Sequence, residues 1–454
     1  MGMIAVTGVV SQAHAQSANR DDPVPSRPDQ SLTAIERGFA VIPTAEPLTL
    51  FPQIREQLKD APDFLRNSKA GINFRSYYRD EVTNVGSGGA ATWKEAWAAG
   101  GSVAFETGRL FNLISGGMVL YTSFPVYAPL DHDGTGLLKP GQQQYGVLGQ
   151  LYGKVHIADT HEIIAGRYLY DTPFMGPHDN RMSPKTFYGY TIHGTFGDEA
   201  SGGPALRYGG GYIAAIKERN STEFISMARA AGAGEDRGTG VLGGMFSWGP
   251  MRIGAIDYYT QDTMNIFYTE GKVGMNRGPD FEAALAAQFA AQSSTGTNLL
   301  NSGTYWATNQ FGVQGQLGIH NAILTATYTV VDQGFNMQVP WSANPFYTDG
   351  QILAFNRAGE GAIMVGLSYV ATALGLPGVG ASVQYFRGWT QAPAAGAPLL
   401  EDEWDFNLEW RPNWSVMKGL WLRARYGIAN TNQNNVNTRV DEVRLILNYG
   451  IKLY

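Results

Sequence analysis

The sequence has no cysteine, which excludes disulfides and thiolate metal sites. Its seven histidines show no metal-ligand spacing such as HExxH; His156 and His161 merely flank a turn. Neither a Gly-x-Ser-x-Gly elbow nor a phosphate-binding loop occurs, so no catalytic residue, metal or cofactor is assigned. Charge is sparse, at 16% of residues with a net of −6, which argues against a nucleic-acid partner. Long apolar runs are missing too. The uncharged stretch from Gly361 to Phe386 is broken by Pro377-Gly378, after which Val379, Ala381, Val383 and Tyr385 alternate with small or polar residues. Two strands and a tight turn explain it better than a membrane helix.

What is present is alternation. Trp404, Phe406, Leu408 and Trp410 interleave with Asp405, Asn407, Glu409 and Arg411. Leu420, Leu422, Ala424 and Tyr426 interleave with Arg423 and Arg425. Val443, Leu445, Leu447, Tyr449, Ile451 and Leu453 share a face opposite Arg444, Asn448 and Lys452. A period of two sends each set to opposite faces of a strand. An apolar face rich in Trp and Tyr, backed by full charges, fits a strand between lipid and water. With 57 glycines and 12% aromatics over 454 residues, the chain suits one large barrel.

The expected strands lie at about 68–79, 93–107, 113–123, 145–157, 161–171, 185–196, 205–219, 238–248 and 251–260. They continue at 264–273, 280–292, 306–318, 321–331, 362–373 and 379–389, before the closing three. The Ala-rich Phe281–Gln292 could form a helix, but loop parity requires a strand. The reading is an all-β fold: a transmembrane antiparallel β-barrel of eighteen strands with inward-folded extracellular loops. In the first strand Lys69, Asn73, Arg75, Tyr77 and Arg79 face the lumen, and that lumen is expected to be an aqueous channel. Connections at 80–92, 124–144, 172–184, 332–361, 390–402 and 429–439 read as long loops. Those at 124–144 and 332–361 are the candidates for narrowing the pore. The connection at 261–263 is short where a long loop is expected.

Upstream, Ala13-His14-Ala15 follows a short apolar stretch and reads as the cleavage site of a remnant signal peptide over residues 1–15. Residues 16–63 hold seven prolines and read as an arm, periplasmic or folded into the lumen. The barrel occupies 64–454. Tyr454 supplies a terminal aromatic for the barrel-assembly machinery.

Taken together, several stretches resemble the OprD-type family of substrate-selective outer-membrane porins. They are FLRNSKAGINFRSYYRD at Phe64–Asp80, DGTGLL at Asp133–Leu138, NRMSPKTFYG at Asn180–Gly189 and ERNS at Glu218–Ser221. ALGLPGVGASVQYFRG at Ala373–Gly388, MKGLWLRARY at Met417–Tyr426 and DEVRLILNY at Asp441–Tyr449 complete the set. The resemblance runs from about Phe64 to the end. It implies an eighteen-stranded barrel passing small carboxylate-bearing, amino-acid-like or sugar solutes, with inward loops and a basic ladder on the wall. The ladder carries over to Arg423, Arg425 and Arg444. The family often continues it two residues past Arg444, where this chain has Ile446, and the Pro-rich arm is extra to the family pattern.

Arg75, Lys154 and Arg207 share lumen parity and extend the candidate substrate path. Asp131 and Asp133 are candidates for an acidic constriction lining, together with Asp405 and Glu409; the last two could instead pair with Arg423 and Arg425 and hold register. Asp131-His132-Asp133-Gly134 looks like a calcium loop but lacks the later bidentate Glu. These features point to a bacterial outer-membrane porin for passive, partly selective diffusion of small polar solutes. Its expected partners are those solutes, membrane lipid and the assembly machinery, and a homo-oligomer is compatible with the pattern. The competing reading is a structural or adhesive barrel closed by its N-terminal arm.

Overall fold

A computed structural model describes residues 47–86, 89–158, 160–198, 202–276, 281–390, 399–433 and 436–454. The signal motif at Ala13–Ala15 and the arm up to residue 46 lie outside the described residues. No helix among them is long and apolar enough to cross a membrane.

Eighteen strands make the wall. In chain order they are β1 (Lys69–Val85), β2 (Thr92–Glu106), β3 (Ile114–Tyr127), β4 (Tyr145–Ile157), β5 (His161–Tyr168) and β6 (Thr186–Gly197). Then follow β7 (Ala205–Lys217), β8 (Thr239–Trp248), β9 (Met251–Thr260), β10 (Met264–Asn276), β11 (Phe281–Ser294) and β12 (Ala307–Ile319). The last are β13 (Ala322–Val331), β14 (Glu360–Val370), β15 (Val379–Thr390), β16 (Leu399–Trp410), β17 (Leu420–Gln433) and β18 (Val436–Lys452). Each pairs antiparallel with its sequence neighbours, and β18 returns to β1 from Gly71↔Lys452 to Val85↔Thr438. That closure leaves no unpaired edge facing hydrocarbon, where each open N–H or C=O would cost several kcal/mol, roughly.

Alternation sets the two faces. On β1, Phe74 is 44% exposed to the outside, whereas Arg75, Tyr77 and Arg79 are buried toward the lumen. Trp404, Phe406 and Leu408 point outward from β16, while Glu403 and Asp405, on either side of Trp404, are buried. The Ala-rich segment is strand β11, as loop parity requires. The hairpin expected as a long loop at 429–439 is instead a continuation of β17 and β18, paired out to Gln433↔Val436. Likewise β1 extends to Val85. In both places the apolar alternation stops before the hydrogen-bond ladder does, because beyond the lipid both faces meet water.

The lumen is divided rather than uniformly wet. Along the arc from β6 to β13, inward side chains such as Tyr258, Ile266 and Tyr268 pack against loop residues Phe174, Trp341 and Phe346. The connections 169–185 (β5 to β6) and 332–359 (β13 to β14) fold in together and join through a parallel bridge, Met175↔Trp341. The Trp341 ring is fully buried, and its indole N–H donates to the Met227 carbonyl at 2.8 Å. The opposite arc, β16 to β2, carries the charges. The loop at 261–263 is as tight as its sequence suggests.

At the turn end, Leu48 and Thr49 pair parallel with Ile451 and Lys452, beyond the point where β17 has stopped. Arg55 donates to the carbonyls of Arg66 (2.7 Å), Ser68 (3.1 Å) and Tyr454 (3.3 Å), and the Tyr454 hydroxyl lies 3.0 Å from the Ser68 hydroxyl. The described part of the arm thus lies beside the chain's last residues.

Candidate functional site

Register brings the arginines together. Arg425 stands directly opposite Arg444, and Arg444 opposite Arg79, so three guanidiniums from β17, β18 and β1 form one row across the wall. The row toward the loop end is acidic: Glu442 faces Glu81 across β18 and β1. On the turn side, Arg423 faces Ile446, and Ile446 faces Tyr77. One step further, Trp421 faces Asn448, which faces Arg75. Successive rows are separated by roughly 7 Å, two residues of strand rise.

Most of these cations are already paired. Glu442 accepts from Arg444 at Nε (2.6 Å) and Nη2 (2.8 Å) and also from Arg79 Nε at 2.5 Å. Arg79 reaches Glu81 as well. Arg75 grips both oxygens of Asp179 (2.6 and 3.1 Å) and donates to Asn448 Oδ1 at 2.7 Å. Arg425 lies 4.0 Å from Asp405. Arg423 is different: its Nε donates to Asn407 and its guanidinium sits 5.8 Å from the Trp421 ring, with no carboxylate partner among the described residues. Glu409, which faces Arg423 in register, turns instead to Arg411 (3.3 Å) and the Trp421 indole N–H (2.9 Å).

The inward loops rest on this wall. Arg79 Nη1 donates to the Thr135 carbonyl in the 128–144 loop at 2.7 Å, and Arg444 Nη2 donates to the Gln351 carbonyl at 2.8 Å. The 332–359 loop is also hooked by carboxylates. Asp405 accepts from Gln351 N (2.9 Å), while Glu403 accepts from Ile352 N (2.8 Å) and Leu353 N (2.7 Å). Gly350 permits this approach, since a Cβ there would lie 2.5 Å from Glu403 Oε2. The 169–185 loop docks through Asp179 and through the Arg181 carbonyl, which accepts from Arg75 at 2.6 Å.

Two further guanidiniums arrive from loops. Arg219 donates to Asn180 and lies 3.3 Å from His178 Nε2, and Arg181 Nη1 donates to the Asn180 carbonyl at 2.7 Å. Burial and the positive charges of Arg79, Arg219 and Arg444 pull the Arg181 pKa well below its ordinary value. Burial, with Arg79 and Arg444 nearby, brings Arg219 down to about 10. His178 is held well below the usual imidazole value by burial and by Arg219, Lys185 and Arg181. Wall and loop cations therefore act on one another.

The remaining candidates sit apart. Lys154 on β4 is buried 3.6 Å from Glu106 and 3.8 Å from Glu162. Arg207 lies half-buried near the start of β7, opposite Thr195 and Met245. The Asp131 side chain is 82% exposed. Asp133 spends its oxygens on Gly134 N (2.7 Å) and Gly141 N (2.6 Å) of its own loop. Residues that sequence reasoning left without a role include Arg79, Glu442, Glu403, Arg181 and Arg219. Lumen parity already placed Arg79, and the NRM and ERNS stretches carried the two loop arginines.

A family profile described as outer membrane porin, OprD family, matches residues 62–453. The fold is similar to that of OccK9 (OpdG) from Pseudomonas aeruginosa, with TM-score 0.77 and 22% identity over 86% of this chain and 100% of that one. A BenF-like porin from Pseudomonas fluorescens Pf-5 gives TM-score 0.75 and 19% identity at the same coverage. OpdK from Pseudomonas aeruginosa, solved with vanillate, gives 0.72 and 20%, again over 86% and 100%. No curated sequence matches the chain. These relatives are channels rather than enzymes, and family and barrel together indicate the bacterial outer membrane. By the profile that spans its whole barrel, this chain belongs to the OprD family of outer-membrane porins.

Proposed function

We propose that the barrel passes small carboxylate-bearing solutes down their concentration gradient. The observation that carries this reading is Arg423, a buried wall cation with no ion pair among the described residues, on the same wall whose Arg79 and Arg444 act on Arg181 and Arg219 from the loops. A carboxylate entering the gap gains attraction from several guanidiniums and is handed from row to row, each step modest because water remains near. Arg425, Arg444 and Arg75 belong to this path, their charge partly offset by Asp405, Glu442 and Asp179. Lys154 and Arg207 stand further round the wall and would add charge as the solute leaves. Asp405 and Glu409 act mainly as holders, of the 332–359 loop and of Arg411. Asp131 and Asp133 shape their own loop. The vanillate bound to OpdK, an aromatic carboxylate, supports the solute class by analogy.

Liposome swelling with carboxylates, amino acids and sugars of matched size tests the proposal. Carboxylates should enter fastest; equal rates for neutral sugars would overturn it.

A further inference from the structure

At the turn end, further round the wall from the arginine rows, one lumen-facing row runs across three strands. His156 on β4 stands directly opposite Glu162 on β5, and Glu162 directly opposite His193 on β6. His156 Nδ1 lies 3.3 Å from Glu162 Oε1, and His193 Nε2 lies 3.4 Å from Glu162 Oε2. One carboxylate therefore faces an imidazole on each side. His156 is buried, and its Nδ1 has no hydrogen-bond partner among the described residues. Its Nε2 is 2.7 Å from the Ser115 hydroxyl on β3. A hydroxyl gives or takes a hydrogen bond, so Ser115 serves either charge state of the ring. The His193 side chain is 42% exposed and that of Glu162 26%, which leaves the row open to water. His161, next to Glu162 in the chain, takes the opposite face of β5 and packs on Phe196 and Tyr208. Among the described residues no group of three such side chains could hold a metal, so the ligand this row takes is the proton.

The charged groups around the row come from every strand packed on it. Lys154, two residues before His156 on the same face of β4, lies 3.8 Å from Glu162 and 3.6 Å from Glu106 on β2. Lys69 on β1 stands opposite Glu106, and the charge of Arg109, between β2 and β3, acts on His156. The Tyr152 and Tyr168 rings flank the Lys154 ammonium, each 5.3 Å away. Beyond His193, β7 adds only Gly209. Imidazole is the side chain whose ordinary value, about 6.5, places its charge change between neutral and mildly acidic pH. A carboxylate at contact favours the charged ring. We infer that His156 and His193 form a proton-operated charge switch at the turn-end mouth, which in such barrels opens to the periplasm. At neutral pH the row carries the negative charge of Glu162. In mildly acidic water both rings are cations, the row is net positive, and the mouth turns toward anions. This goes beyond the anion path: it concerns the exit, and it holds whichever ion the constriction prefers.

The test uses the full-length protein in planar bilayers under a potassium chloride gradient, with reversal potentials read at about pH 7.5 and about pH 5.5. The chloride-to-potassium permeability ratio should rise on acidification, by roughly threefold for each charge gained about 7 Å from the ion in water. The double variant His156→Gln/His193→Gln should keep the neutral-pH ratio and lose the rise. Glu162→Gln removes the carboxylate that favours the charged rings, so the midpoint of the rise should move to lower pH, a shift that lost packing alone would not give. A wild-type ratio equal at both pH values overturns the switch. So does a double variant that retains the rise, which would assign the titration to Glu106 or to a loop group. His193→Gln alone, at the exposed end of the row, should lose part of the rise; a full rise in this variant overturns the switch even where the double variant fails to fold. A potassium preference at about pH 7.5 contradicts the anion path and leaves the switch standing. Heat-modifiable migration in detergent gels confirms that each variant is a folded barrel before it is scored.

Discussion

Replacing Arg423 with Gln should lower anion preference without unfolding the barrel. Arg444 and Arg79 share Glu442, so removing either disturbs a bonded cluster. Arg423 hydrogen-bonds only Asn407 among the described residues and lies against the Trp421 ring. Its loss therefore removes a charge that no carboxylate binds directly, Glu409 opposite it being turned to Arg411 and Trp421. For an anion seated one rung away, roughly 7 Å, the Coulomb energy is about 0.6 kcal/mol in bulk water and about 2.4 kcal/mol at an effective dielectric of about 20. These bounds correspond to about threefold and about fiftyfold in partition. The chloride-to-potassium permeability ratio, read from reversal potentials at about 0.1 M salt, should fall within them. At about 1 M the Debye length is only about 3 Å, so most of the difference should vanish. A ratio unchanged at low salt would refute the idea that uncompensated wall charge sets selectivity.

Gly350→Ala should loosen the 332–359 loop, because the new methyl meets the carboxylate that holds Ile352 N and Leu353 N. Larger and noisier single-channel currents are expected; wild-type conductance would contradict the hook. His178 predicts a pH effect. Burial, with Arg219, Lys185 and Arg181 nearby, favours the neutral ring in the folded loop and depresses its pKa, and Nε2 lies 3.1 Å from the Asn180 amide and 3.3 Å from Arg219 Nη1. The stability this gives is present above the unfolded value of about 6.5 and declines as pH falls below it, by up to about 1.4 kcal/mol per pH unit. Hydrogen exchange over residues 172–185, corrected for intrinsic rates, should quicken from pH 7 to 5.5, and His178→Gln should abolish the change.

The strands were legible because the wall separates oil from water at every residue. Trp404/Asp405 and Leu445/Arg444 declare their faces without tertiary information. Parity even resolved Phe281–Gln292 against its helical composition. The signal failed above the lipid, at Asn430–Arg439, where both faces are wet and polar residues still pair. The ladder was readable on β17 and β18 because strand spacing fixes side-chain direction. Its state of pairing was not: Arg444 is bound by Glu442 two residues away on its own strand, and Arg75 by Asp179 from a loop 104 positions later. Loop backbones carry no period, so nothing in the sequence tells where Arg181 and Arg219 will point. The dry half of the lumen escaped for the same reason, since its core joins β9 and β10 side chains to Phe174 and Trp341 on two distant loops.

An open passage whose free charge is positive should favour chloride over potassium. Single wild-type barrels in a planar bilayer under a potassium chloride gradient test it most directly. Steady current reversing toward the chloride equilibrium potential is expected; silence, or reversal toward potassium, would rule out an anion-selective pore.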